Sequence, residues 1–162
     1  MRFLRTLVVV ATTTLAIASP HTADASPTVA ASTFTASVER LVFQVSLDSF
    51  TSARLARTPS WHDWSTDGCS TPGAVGLGDT GRSFNFRHAC WRHDFAYRNT
   101  KLADSMYGPP GTYWNSTTRL RIDNRLLSDM QADCAWRSWT ERYTCLGWAQ
   151  TYYRAVRLFG GP

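Results

Sequence analysis

Two long stretches of this 162-residue chain carry apolar side chains at helical spacing, and none alternates strictly enough to form a strand. Phe86, Cys90, His93 and Tyr97 recur every four, three and four positions. They predict one helix from Ser83, its N-cap, to about Lys101. Gly108-Pro109-Pro110-Gly111 then forces a turn. A second stripe, Leu120, Asp123, Leu127, Met130 and Cys134, predicts a helix over 115–135. A third helix follows Cys145, with Trp148, Tyr152, Ala155 and Phe159 on one face. Upstream, Val38, Leu41, Val42 and Val45 predict a helix over 37–50. Gly73, Gly76, Gly78 and Gly81 mark a loop over 70–82. The expected fold class is all-α: a small helical domain built on two long antiparallel helices with flanking helices and two disulfides.

The first residues follow a different rule. Arg2 and Arg5 precede a short apolar run, and Ala23-Asp24-Ala25 is a small-x-small site. That is the layout of a secretory signal peptide over 1–25. The Ser/Thr/Ala/Pro-rich residues 26–36 are expected to be disordered or a propeptide, leaving 37–162 as the helical domain. An exported chain with four cysteines, Cys69, Cys90, Cys134 and Cys145, favours two disulfides. Four cysteines allow three pairings; joining neighbours is the simplest. The net charge of +5 permits attraction to anionic surfaces. No Lys/Arg run marks a nucleic-acid arm, so no nucleic-acid partner is expected, and the domain is expected to be a monomer.

His93 and Asp94 are neighbours, and on a helix neighbours point about 100° apart. They therefore serve different partners. His93 lies on the stripe of Cys90 and Tyr97. Asp123 is the one acid on the stripe of the following helix, so antiparallel packing brings the two together. A carboxylate on one imidazole nitrogen fixes the tautomer and leaves the other as a base. Structural salt bridges from Arg92 or Arg119 to Asp123 are the plainer alternative. Asp94 points elsewhere. Were Cys69 bonded to Cys90, the Asp67-Gly68 loop would lie near it. Two carboxylates and loop carbonyls suit a hard cation, most naturally calcium. His62 and His88 have no stripe partner and are expected at the surface. Trp91 points off the His93 stripe, and its place is expected at a lipid-facing rim.

Asp63-Trp64-Ser65-Thr66-Asp67-Gly68-Cys69, Cys90-Trp91-Arg92-His93-Asp94-Phe95-Ala96-Tyr97-Arg98-Asn99 and Arg121-Ile122-Asp123 resemble the short secreted phospholipases A2 of bacteria and fungi. The closing stretch from Thr151 to Gly160 is similar too. The resemblance implies calcium-dependent hydrolysis of the sn-2 ester of glycerophospholipids at a membrane or micelle surface. It assigns the base to His93, its orienting acid to Asp123, and calcium to Asp67, Asp94 and the Gly68 carbonyl. It also implies the pairs Cys69–Cys90 and Cys134–Cys145. Glycine at position 68, where the compared sequences carry a bulkier residue, loosens the calcium loop, and Asp79 is a further acid in the following loop. The competing reading is a non-catalytic, toxin-like or membrane-binding module on the same scaffold.

Overall fold

The computed structural model describes residues 29–69 and 84–161. Among them every regular element is helical. Helix α1, Ala31–Glu39, runs into a π-helical turn, Arg40–Gln44. Then come α2, Leu47–Ala56; α3, Arg87–Tyr107; α4, Ser116–Cys134; and α5, Trp139–Phe159. The expected leader, the glycine-rich loop with Asp79, and Ser83 lie outside the described residues.

Side-chain pairs fix the topology. Tyr97 meets Arg119, His93 meets Asp123, and Arg92 meets Asp129. Positions that descend on α3 ascend on α4, so the two are antiparallel. Arg157 meets Asp123, Tyr153 meets Asn124, and Cys145 is bonded to Cys134. Helix α5 therefore lies antiparallel to α4. Between α3 and α4 the Asp104 carboxylate accepts the N–H groups of Gly111 at 2.9 Å and Tyr113 at 2.6 Å, which closes the expected turn. Asn115 caps α4 by accepting from the N–H groups of Thr117 and Thr118.

Several boundaries and one phase differ from the sequence expectation. The segment expected over 37–50 spans the end of α1, the π-helical turn and the start of α2. The N–H of Val45 closes onto the carbonyl of Arg40, Val45 itself is extended, and Ser46 caps a new helix. Buried Arg92 reaches into this break and donates to the carbonyls of Val42 and Val45 at 3.2 and 3.1 Å. Residues 31–36, expected to be disordered or a propeptide, are helical. Phe34 anchors them, buried against the rings of His62 and Tyr107; such a burial contributes about 2 kcal/mol. Helix α5 starts six residues ahead of Cys145, and α3 runs to Tyr107. On α4, Asp123, Met130 and Cys134 are buried as expected, but Leu120 is exposed; Ile122, Leu126 and Asp129 are buried as well. The buried face is wider than one stripe because α4 packs on α3 and on α5.

His62 is the largest correction to the surface assignments. It is buried, whereas His88 is exposed as expected. Its ring sits among Phe34, Phe95, Trp64 and Trp61. Nδ1 lies 3.1 Å from Asn99 Oδ1 and Nε2 lies 2.9 Å from the Ser37 hydroxyl, so the imidazole joins α1 to α3. Burial drives its pKa down from 6.5 to about 4, against the raising influence of Asn99. The neutral ring's contribution to stability is thus complete above pH 6.5 and is lost as pH falls toward 4. At about pH 7.5, His62→Gln should cost about 1–3 kcal/mol, with a lower melting temperature. Calorimetry should find the gap to the parent narrowing as the pH is lowered to about 4.5; a constant gap contradicts this reading.

Candidate active site

The segment ahead of the first disulfide is held to α3 at several points. Asn99, fully buried, reads the backbone of Asp63 from both sides: Oδ1 accepts its N–H at 2.9 Å and Nδ2 donates to its carbonyl at 2.8 Å. The Trp64 ring packs on Phe95 with centroids 4.5 Å apart, and its indole N–H donates to the carbonyl of Pro59. The Thr66 hydroxyl donates to Asp94 Oδ2 and accepts the N–H of Gly68. Gly68 has φ of 72°, in the left-handed region where glycine carries no side-chain penalty. One residue on, Cys69 is bonded to Cys90 with Cα atoms 5.2 Å apart. Cys134–Cys145 is the second disulfide.

Helix α3 is buried on two sides, which is how His93 and Asp94 come to face different groups. Arg92, Phe95 and Asn99 turn toward the π-helical turn, α2 and the 61–68 segment. Cys90, His93 and Tyr97 turn toward α4 and α5. His93 Nε2 lies 2.8 Å from Asp123 Oδ1, and the Tyr97 hydroxyl donates to the same oxygen at 2.6 Å. Arg157 from α5 donates to the other oxygen at 2.7 Å, and Arg119 Nε stands 3.7 Å from it. The Asp123 carboxylate is 0% exposed. Burial alone would raise its pKa. The bonds from His93, Tyr97 and Arg157 outweigh that and hold it below the usual carboxylate value. Tyr97 is pushed the other way, above the ordinary phenol value, by burial and by Asp123. His93 is 10% exposed. With Nε2 engaged by Asp123, Nδ1 is the remaining ring nitrogen.

Asp94 has the opposite electrostatic setting. Its Oδ2 accepts from the Thr66 hydroxyl and, at 3.2 Å, from the N–H of Asp67, both neutral donors. Burial raises its pKa from 3.8 to about 6; Thr66 lowers it, and neighbouring Asp67 adds to the rise. The Asp67 carboxylate is exposed and pairs with Arg98 at 3.0 Å. Asp67 thus meets Asp94 through its backbone N–H, and its charge is close enough to act on the Asp94 carboxyl. Among the described residues no three His, Cys, Asp or Glu side chains gather as a metal cluster.

These groups line one cavity of about 420 Å³, in the size range of small-molecule sites. Asp67, Gly68, His93, Asp94 and Tyr97 form one side of it, and Leu126, Tyr152, Ala155, Val156 and Phe159 give it an apolar wall. Trp91 does not line it. Its ring is half-buried beneath the Arg54 guanidinium, 4.1 Å away, and beside His88. Phe159 is the half-exposed aromatic on the cavity wall instead. Sequence reasoning assigned no site role to Tyr97 or Arg157 and gave Arg119 only a structural one. Tyr97 was legible as one turn beyond His93 on the same stripe. Arg157 carried no signal, because its partner is set by how α5 packs.

Residues 38–160 match the sequence model of the family described as prokaryotic phospholipase A2. A secretory phospholipase A2 of Beauveria bassiana (strain ARSEF 2860) is 34% identical over 123 residues, which cover 76% of this chain and 57% of that protein. A secretory phospholipase A2 of Arthroderma benhamiae (strain ATCC MYA-4681 / CBS 112371) is 31% identical over 150 residues, 90% of this chain and 93% of that protein. The helical architecture and the two disulfides are consistent with these matches, which show that the chain belongs to the prokaryotic phospholipase A2 family.

Proposed function

We propose that the chain is an exported phospholipase A2 that hydrolyses the sn-2 ester of glycerophospholipids, with His93 as general base and Asp123 as the acid that orients it. One observation carries the reading: an imidazole bonded through Nε2 to a fully buried carboxyl group lines an apolar-walled cavity. In the proposed reaction Nδ1 takes a proton from water as that water attacks the ester carbonyl. Asp123 stabilises the imidazolium so formed, and the same proton then goes to the departing glycerol oxygen. The products are a free fatty acid and a lysophospholipid. Water is the nucleophile, so no acyl-enzyme is required. The apolar wall from Leu126 to Phe159 suits an acyl chain. Export fits the two disulfides and the relatives' names as secretory proteins. Among the described residues no helix is long and apolar enough to cross a membrane.

Calcium is the cofactor we propose. The residues fit it: Asp94 is a partly buried carboxyl held by neutral donors beside a second carboxyl, an environment that a divalent cation relieves. Asp94, Asp67 and the Gly68 carbonyl would hold it, all three residues lying on the cavity. Bound there, calcium would supply a positive charge that polarises the ester carbonyl and phosphate. Arg98 already pairs with Asp67 and competes for that carboxylate.

The direct test is fatty-acid release from sn-2-labelled phosphatidylcholine or phosphatidylglycerol vesicles, expected with calcium and abolished by a chelator. His93→Ala should lower turnover about 10²–10⁴-fold with unchanged helical circular dichroism; full activity in that variant ends the proposed mechanism. A second test reads stability. The Asp94 charge is a penalty above about pH 6 that fades as pH falls to 3.8. Metal-free Asp94→Asn should therefore melt above the parent near pH 8, with the two converging near pH 4. Calcium should raise the melting temperature of the parent and leave that of Asp94→Asn unmoved. Equal stabilisation of both proteins contradicts the assignment of Asp94.

A further inference from the structure

We infer that Arg157, in the last turn of α5, is a positioning residue that fixes the Asp123 carboxylate for His93 and couples the docking of α5 to the reaction; this rests on the reading of His93 and Asp123 above. The carboxylate has two oxygens with divided duties. Oδ1 serves His93 at 2.8 Å and the Tyr97 hydroxyl at 2.6 Å. Oδ2 takes the Arg157 guanidinium at 2.7 Å, with Arg119 more distant at 3.7 Å. A carboxyl group rotates about one bond, so fixing Oδ2 fixes the direction in which Oδ1 meets the imidazole. A single short bond from a cationic N–H, as Arg157 makes here, is suited to that task.

Arg119 has a separable job. Its Nη2 donates to the carbonyls of Val156 and Arg157 at 2.9 and 2.6 Å, and its Nε reaches the Tyr97 hydroxyl at 3.3 Å. Those bonds cap the end of α5 whatever side chain occupies position 157. At Gly160 the chain also passes close to Tyr97. A Cβ there would lie 2.6 Å from the Val156 carbonyl oxygen and 3.0 Å from the Tyr97 hydroxyl, so only glycine lets the chain approach so closely. The cavity wall formed by Ala155, Val156 and Phe159 is therefore held without Arg157. Arg157 adds orientation and charge at Asp123, and its loss should appear in turnover rather than in substrate affinity.

The experiment compares the parent with Arg157→Gln and Arg157→Lys. It measures kcat and KM on sn-2-labelled vesicles with calcium, and exchange of the His93 Nε2 proton with water by NMR. For Arg157→Gln the expected result is a kcat lower by about 10- to 100-fold, the scale of one charge-assisted hydrogen bond. KM should stay within about threefold, and the ring proton should exchange faster. Arg157→Lys should recover most of both. A kcat for Arg157→Gln within about twofold of the parent overturns the inference, as does a folded Arg157→Lys no better than Arg157→Gln. Should the glutamine variant melt early, the lysine variant decides alone: near-parent turnover supports the inference and its loss overturns it. A parent that hydrolyses no sn-2 ester, with ring-proton exchange still faster in Arg157→Gln, sinks the proposed activity and leaves the positioning role standing.

Discussion

The packing of three helices converges on one buried anion. Asp123 has no exposed surface, and taking a carboxylate out of water costs several kcal/mol unless its oxygens are met. They are met from three directions: His93 and Tyr97 on α3, Arg119 one turn earlier on α4, and Arg157 on α5. Each contact is also a contact between helices. The carboxylate keeps its charge because α3, α4 and α5 are docked, and those helices are in register where the charge is satisfied. Removing any one donor leaves the others holding an under-compensated ion, a larger penalty than losing an ordinary surface ion pair.

The adjacent pair in the sequence, His93 and Asp94, illustrates how one helix serves two environments. The carboxylate that His93 meets is driven down in pKa by charged and hydroxyl donors. The carboxylate that follows His93 in the chain is driven up to about 6 by burial among neutral donors and by a second acid. Two acids pushed apart in this way mark different duties. Asp123 is compensated by the protein itself, while Asp94 is the acid to which the proposed calcium is assigned. Asn99, Trp64 and the Cys69–Cys90 bond support this division by fixing the Asp63–Cys69 segment against α3.

Much of this was readable from residue spacing. The helical class, the antiparallel α3–α4 pair and the meeting of His93 with Asp123 all follow from two stripes and one misplaced acid. The cysteine pairing was left open by the count alone and closed by the fold. Other features were not local in the sequence. A single stripe on α3 cannot reveal a helix buried on both sides, so Arg92 and Asn99 were invisible as core residues. The burial of His62 is not legible locally because its partners, Ser37 and Asn99, lie 25 and 37 positions away. The break after Gln44 depends on carbonyls taken up by Arg92, a contact spanning about fifty residues. Arg157 reads as one more solvated arginine until α5 is docked.

The charge state of Asp123 is the most direct test of this account. Its side-chain carboxyl carbon can be followed by ¹³C NMR in the folded protein as the pH is lowered from about 8 to about 3. The account predicts a resonance that stays at the ionised position down to the ordinary aspartate range near 3.9 and below. A midpoint above about pH 5 would mean that burial, rather than the three donors, sets the proton, and the central anion would not exist at neutral pH in the form described.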